Sequence, residues 1–509
     1  MERFHMPFRI FIANRGEIAI RIAKTAWEHG FIPIGIYTKE DEHSLHRRYL
    51  KDDREVSSYL DIEEVVDAAV ELGSDAVHPG YGFLSENPEF AREVIRRNIL
   101  FIGPSPSAME LSGDKLKAKE VAKKIGIPTL PWIIVNDEKD IEEFVREHGY
   151  PVLLKAVGGG GGKGIRLIRE GDDLGKAIEA ASKEAMKAFN DPRVYAEPFL
   201  QNVKHIEVQI IGDGENIVHL YERECSVQRR FQKIIEEAPS PFLNGEERNV
   251  ITSHAVELGK AIKYSNAGTV EMLFDVSTRR HYFMEINARL QVEHPVTEMI
   301  TGLDIVLKQI EVTMYKVLDL KQHNISFRGH AIEARIYAEN PVFEEPAVGV
   351  VKNYKEPSGP GIRVDSSIEA GSKVTTDFDP MIAKIIAWGP DRRMALLRLE
   401  RGLKEFVIDG LITNIPLLRE IIRHEAFVKG VYTTKFYYEN IENFRKEISR
   451  KIRSEALIIT GLTEFAGKDV TKWLETSKKH LQAHEESIVN LKRKAWYYYI
   501  STRDKLRRK

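Results

Sequence analysis

Three stretches of the chain carry side chains able to do chemistry together. The first holds Glu271, in Thr-Val-Glu-Met-Leu-Phe, and Glu285 and Asn287, in Phe-Met-Glu-Ile-Asn-Ala-Arg. A period of two puts Glu285 and Asn287 on one strand face. Two carboxylates and an amide oxygen are hard ligands, suited to Mg2+ bridging nucleotide phosphates. The alternation is expected to continue through Arg289, Gln291 and Glu293, with Ile286, Ala288, Leu290 and Val292 on the opposite, apolar face. A strand face that polar is costly in a core unless it is a site.

The second stretch is Lys155-Ala-Val followed by Gly158, Gly159, Gly160, Gly161, Gly162, Lys163 and Gly164. A glycine run after a strand costs backbone entropy, so the main chain must approach something or move. Exposed N–H groups beside a lysine suit polyphosphate. The run is not a Walker A loop, because Val157 stands where that motif needs glycine and Gly164 where it needs Ser or Thr.

The third stretch, Cys225 to Lys233, contains Gln228, Arg229, Arg230, Phe231 and Lys233, and is expected to be a constrained loop before Ile234-Ile235. Cys225 is read as a small buried residue and His294 as structural.

These residues need elements to hold them. The segment 8–113 alternates short apolar runs with helical patterns, which predicts a Rossmann-like parallel sheet with crossover helices and a site at the strands' carboxyl ends. A helix over 116–125 and a connector with Pro128 and Pro131 complete a linker over 114–131. A smaller unit follows at 132–202, with a helix over 173–189. Strands dominate 203–328, and short strands with Gly/Pro turns fill 329–446, closed by a helix over 393–406. The tail, 447–509, is basic. Its Leu474, Leu481, Ile488 and Ala495 fall every seven residues, so a helix with a narrow apolar seam is expected. The fold class is therefore α/β and α+β, in several domains.

Composition narrows the function classes. A chain of 509 residues exceeds one hydrophobic core. Its net charge of −2 gives no reason to expect nucleic acid or an anionic membrane as partner. One cysteine excludes an internal disulfide. No apolar run is long enough to span a bilayer, and no signal-peptide pattern opens the chain, so a cytoplasmic protein is expected.

From residue 8 to about 445 the chain resembles the biotin carboxylase component of biotin-dependent carboxylases, an ATP-grasp family. The blocks that carry the resemblance are Ile-Ala-Asn-Arg-Gly-Glu-Ile-Ala at 12–19, His-Pro-Gly-Tyr-Gly-Phe-Leu-Ser-Glu-Asn at 78–87 and Phe-Ile-Gly-Pro-Ser at 101–105. The glycine loop, Ser226–Pro239, the run 287–298 and Gly-His-Ala-Ile-Glu-Ala-Arg at 329–335 complete the set. The resemblance implies that 1–113 is the N-terminal domain, 132–202 a lid subdomain, 203–328 the ATP-grasp centre and 329–446 the C-terminal domain.

It further implies that Lys115, Lys155 and His205 contact ATP, with Gln228 nearby and the loop through Gly160, Gly161, Gly162, Lys163 and Gly164 closing over the phosphates. Adenine would lie on Glu197, Pro198, Phe199 and Leu200. Glu271, Glu285 and Asn287 would hold Mg2+ (or Mn2+ in its place), while Arg289, Gln291 and Val292 would hold bicarbonate. Lys233 would assist at the phosphates, Glu293 would deprotonate bicarbonate, and Arg335 would stabilise the enolate of biotin. Two departures stand out: Phe231 where the family commonly has histidine, and Pro198 where a basic residue is common, which removes an N–H from the hinge.

Biotin in this family rides on a lysine in Ala-Met-Lys-Met at a hairpin turn. Ala185-Met186-Lys187-Ala188 is similar, but its helical setting is wrong for that role. A separate biotin carboxyl carrier protein and a separate carboxyltransferase are therefore expected. This chain is expected to form a homodimer, in an acetyl- or propionyl-CoA carboxylase or a two-subunit pyruvate carboxylase. The basic tail is expected to dock on a partner or fold back. Another ATP-grasp ligase would not need Arg335 or the run 289–293 in this form, and an inactive scaffold would lack these ligands.

Overall fold

The computed structural model describes residues 8–158 and 165–466. Strands Arg9–Ile12 (β1), Ile32–Tyr37 (β2), Asp52–Glu55 (β3), Ala76–His78 (β4) and Leu100–Phe101 (β5) form a parallel sheet in the order β3-β2-β1-β4-β5. Helices Gly16–Glu28, Ile62–Glu71 and Pro88–Arg96 alternate with these strands. This is the doubly wound arrangement the alternation predicts. The first helix is buried on nearly every side, since Ile18, Ile22 and Ala23 pack with the sheet while Arg21 and Thr25 reach Asp304.

Strands Ile133–Val135 (β6), Val152–Ala156 (β7), Ile165–Ile168 (β8) and Val194–Pro198 (β9) make a small antiparallel sheet in the order β6-β9-β7-β8. Helices Glu138–His148 and Leu174–Phe189 cover it. The second helix carries Ala185-Met186-Lys187-Ala188, with Ala185 buried in the core and Met186 exposed. The segment is helical rather than a hairpin turn, as the sequence pattern requires.

The site rests on one eight-stranded sheet. Its first members are Val203–Asp213 (β10), Ile217–Arg229 (β11), Gln232–Ala238 (β12), Ser265–Asp275 (β13), Arg280–Asn287 (β14) and His330–Tyr337 (β15). Ile362–Ser366 (β18) and Met381–Gly389 (β20) complete it, in the order β14-β13-β10-β11-β12-β15-β20-β18. Gly349–Val350 (β16) pairs with Lys373–Val374 (β19), and Asn353–Lys355 (β17) with Val407–Asp409 (β21), in two separate two-stranded sheets. β12 pairs with β15 through Glu236 and Glu333, so hydrogen bonds run unbroken across the expected boundary at 328/329.

Three expectations are corrected. The strand carrying Glu285 and Asn287 stops at Asn287, and 288–293 is a turn that runs into the helix His294–Thr301. The pairing with the neighbouring strand ends at Thr269 and Asn287, and the helix that begins at His294 carries the chain away from the sheet, so the alternation does not persist as a ladder. The stretch around Phe231 is a hairpin rather than a loop: β11 and β12 pair, and Arg230 and Phe231 turn with φ of 52° and 63°. The helix Arg392–Glu405 forms as expected but does not close the unit 329–446, because helices Ile415–Arg423, Glu425–Val428 and Phe436–Ala466 follow it, all beginning before residue 446. The last of these runs through the expected boundary at 446/447. Gly160, Gly161, Gly162, Lys163 and Gly164, and the seam at Leu474, Leu481, Ile488 and Ala495, lie outside the described residues. Among the described residues no helix is long and apolar enough to cross a membrane.

Candidate active site

A cleft of about 300 Å3 opens between the small sheet and the eight-stranded sheet. Lys155, Pro198, Phe199 and Leu200 line it from the small-sheet side, and Lys115 enters from the helix Lys115–Lys124. Asp114 caps that helix, its Oδ1 accepting from the amides of Leu116 and Lys117 at 3.1 Å. The cap fixes where Lys115 leaves the backbone, and its Nζ lies 3.0 Å from Glu285 Oε2.

Lys155 points inward from β7 and pairs with Glu197 on β9, which also takes Lys119 Nζ at 2.6 Å. Burial raises the Glu197 carboxyl, but the two ammonium groups more than offset it and hold the group at about 2. The side chain of Glu197 is thus spent on positioning two lysines, and only Pro198, Phe199 and Leu200 of the expected hinge line the cleft. The Phe199 amide donates to Pro151 O at 3.0 Å and is not free for a base. Phe231, at the hairpin tip, lines the same cleft half exposed.

The oxygen ligands meet across two strands. Glu271 and Glu285 are register partners on β13 and β14, with a bulge just after Glu271. Asn287 Nδ2 donates to Glu271 Oε1 at 2.8 Å, and its Oδ1 accepts from Arg289 at 3.3 Å. Gln228 Nε2 donates to His205 Nδ1 at 2.7 Å, which leaves His205 Nε2 as the N–H, 2.9 Å from Glu271 Oε2. Glu271 sits well below the usual carboxylate range: burial opposes this, but Lys233 and His205 outweigh burial. Two carboxylates and an amide oxygen at the mouth of a lysine-lined cleft fit magnesium on a polyphosphate. His205, Glu207 and Glu271 also bring ligand atoms within 4.8 Å, but Glu207 is engaged by Arg223 and Lys233.

Glu293 is wholly buried, and its two oxygens are held apart. Lys233 Nζ reaches Oε1 at 2.6 Å and Arg335 reaches Oε2 at 2.9 Å. Burial pushes this carboxyl up, but Lys233, Arg335 and Arg223 bring it well below its ordinary value. Lys233 bonds Glu271 at 2.8 Å as well, and burial is outweighed by its three carboxylates, which hold its ammonium well above the usual range. Arg335 donates from Nε to Glu236 at 2.6 Å; burial raises Glu236 to about 7 against the pull of that arginine.

Arg289 bonds Glu86 at 2.9 Å and Gln291 Oε1 at 3.0 Å. Gln291 Nε2 is buried without a partner among the described residues. A buried donor of this kind beside a guanidinium is suited by its chemistry to a small anion. Val292 lines the cleft beside them.

Family models match almost the whole described chain: the N-terminal domain of biotin carboxylase over 6–109, the ATP-binding domain of the carbamoyl-phosphate synthase L chain over 114–321, and the C-terminal domain of biotin carboxylase over 333–439. Biotin carboxylase 1 of Bacillus subtilis is 43% identical over 438 residues, 84% of this chain and 97% of that one. The chain belongs to the biotin carboxylase family.

Within that family the chain is 42% identical over 455 residues to a pyruvate carboxylase subunit of Methanothermobacter thermautotrophicus, covering 87% of this chain and 91% of that one. It is 45% identical over 440 residues to the propionyl-CoA carboxylase alpha chain of Mus musculus, covering 84% of this chain and 61% of that longer one. The solved biotin carboxylase domain dimer of Hydrogenobacter thermophilus 2-oxoglutarate carboxylase, in complex with MgADP, ADP and bicarbonate, superposes with a TM-score of 0.83 at 42% identity, over 86% of this chain and 99% of that one. A biotin carboxylase is an ATP-dependent ligase, and its reaction draws on ATP with magnesium, bicarbonate and biotin borne on a protein.

Several residues of this biotin carboxylase site escape sequence reasoning. Glu207 on β10, partner to Lys233, lies two residues beyond His205 on the same strand face, a signal that period-two counting gives. Glu236 and Lys119 lack one, since each acts by holding a neighbour and each is paired only through the fold.

Proposed function

We propose that Glu293 is the base that deprotonates bicarbonate, in a site where Lys115, Lys155 and His205 hold ATP and Arg289, Gln291 and Val292 hold the bicarbonate anion. The observation that carries this reading is the Glu293 carboxylate, held between Lys233 at 2.6 Å and Arg335 at 2.9 Å beside the cleft that gathers the other side chains. A carboxylate clamped by two cations is a weak base. An anion arriving beside Arg289 competes for those cations and returns basicity to Glu293 as the substrate binds. The deprotonated bicarbonate takes the γ-phosphoryl group as the bond to ADP breaks, and Lys233 steadies the carboxyphosphate that forms. Carboxyphosphate splits into CO2 and phosphate, the phosphate takes the N1 proton of biotin, and Arg335, released from Glu293, faces the resulting enolate, whose N1 attacks CO2. Glu271, Glu285 and Asn287 hold magnesium, whose role is to neutralise phosphate charge.

The carboxyl group passes to biotin on a separate carrier protein, and a separate carboxyltransferase delivers it, with this chain paired as a homodimer. The acceptor we favour is an acyl-CoA, acetyl or propionyl, in keeping with the 45% identity to a propionyl-CoA carboxylase alpha chain. Likeness over nearly the full length of a pyruvate carboxylase subunit favours a second reading, in which pyruvate is the acceptor. Labelled bicarbonate supplied with ATP, magnesium and a biotinylated carrier should label the carrier. Adding carboxyltransferases for acetyl-CoA, propionyl-CoA and pyruvate one at a time then identifies the acceptor. A carrier that stays unlabelled contradicts the proposal.

A further inference from the structure

Lys384 lies on β20, wholly buried, directly opposite Arg335 in the antiparallel register. Its Nζ donates to the carbonyl of Val292 at 2.6 Å and sits 3.3 Å from Glu17 of the first helix. Tyr81 donates its hydroxyl to the same Glu17. A buried ammonium is expensive, and most of this one's donor capacity goes to a single backbone oxygen and one acid.

That backbone oxygen belongs to the turn 288–293, where no strand ladder fixes the peptide planes. Two side-chain contacts fix them instead, beside the His294 amide, which donates to the Gln291 carbonyl at 3.3 Å. His294 Nδ1 lies 2.8 Å from the carbonyl of Gln291, and Lys384 holds the carbonyl of Val292. In a trans peptide the following N–H points away from the carbonyl before it. Pinning these two carbonyls therefore sets the direction of the Val292 and Glu293 amides. Among the described residues neither amide donates to a backbone acceptor. Two successive free amides beside the orphan Gln291 Nε2 make an anion-binding concavity.

We propose that Lys384 is a positioning residue for the anion: by holding the Val292 carbonyl from behind, it aims the Val292–Glu293 turn at bicarbonate and sets the position of the base. This rests on Arg289, Gln291 and Val292 being the residues that receive bicarbonate. Glu17 serves as the counter-charge, and through Tyr81 it ties the turn to the N-terminal sheet.

The test is steady-state ATP hydrolysis by the full chain with bicarbonate and ATP varied in turn. Lys384→Met should raise KM for bicarbonate by about tenfold or more while KM for ATP stays within about twofold, and should increase ATP hydrolysed per biotin carboxylated. Because removing the ammonium alone strands Glu17, the double variant Lys384→Met/Glu17→Gln removes both charges together and should fold, with the same selective loss. Lys384→Arg, which keeps a donor, should recover part of the bicarbonate affinity. Bicarbonate KM within about twofold of the parent in the double variant overturns the proposal. Gln291→Ala run alongside separates the two readings: an unchanged bicarbonate KM there indicts the anion site itself, whereas a raised one with a silent Lys384 indicts only the positioning role.

Discussion

At the scale of the residue, the site works by spending charge on charge. Glu293, Lys233, Arg335 and Glu236 form a chain in which every group is buried or nearly so and each is paired on more than one side or held by a shared partner. Such networks are costly when half-satisfied, and their cations are the natural targets of an incoming anion. A simpler residue shows the same economy of protonation away from the site. His46 is wholly buried, its Nε2 3.1 Å from Ile36 O and its Nδ1 2.9 Å from Ser44 Oγ. Burial lowers its imidazole to about 4. The folded state thus refuses a proton that the unfolded chain accepts below its ordinary value of 6.5. Stability is lost as the pH falls through that window and is fully present above it. Compared with His46→Gln by urea melts, the parent should lose about 3 kcal/mol more on going from pH 7 to 4, at about 1.4 kcal/mol for each pH step across the window. Parallel pH curves for the two proteins would contradict this.

At the scale of the element, what was legible in the sequence was whatever obeyed a period. The parallel sheet, the helical setting of Ala185–Ala188, and Glu285 with Asn287 on one strand face all followed from spacing. The turn 288–293 did not: its residues alternate as a strand would, yet helix His294–Thr301 begins at once, and the polar groups are gathered by Lys384, His294 and Glu86 from distant parts of the chain. Glu236 and Lys119 stayed invisible for the same reason, since tertiary pairing leaves no local mark. Element ends also carry function. Asp114 caps helix Lys115–Lys124 and so directs Lys115. Asp114→Ala should cost about 1 kcal/mol of stability, and KM for ATP should rise several-fold with bicarbonate KM unmoved. Unchanged melting and unchanged ATP KM would show that the cap does not place Lys115.

At the scale of the whole molecule, the cleft is assembled from segments far apart in the chain, and buried ion pairs join them. Glu298, on the helix after Glu293, takes Arg21 of the first helix at 2.8 Å and Arg363 of β18 at 2.7 Å. The eight-stranded sheet brings Arg335 on β15 to within bonding distance of Glu293, which follows β14. This assembly is proposed to activate bicarbonate through Glu293. Its most direct test is ATP hydrolysis by the purified chain with magnesium, measured with and without bicarbonate and free biotin, beside Glu293→Gln. Hydrolysis should require bicarbonate, be stimulated by biotin, and fall by about a hundredfold or more in Glu293→Gln, with ATP binding retained. Bicarbonate-dependent turnover that survives in Glu293→Gln would contradict it.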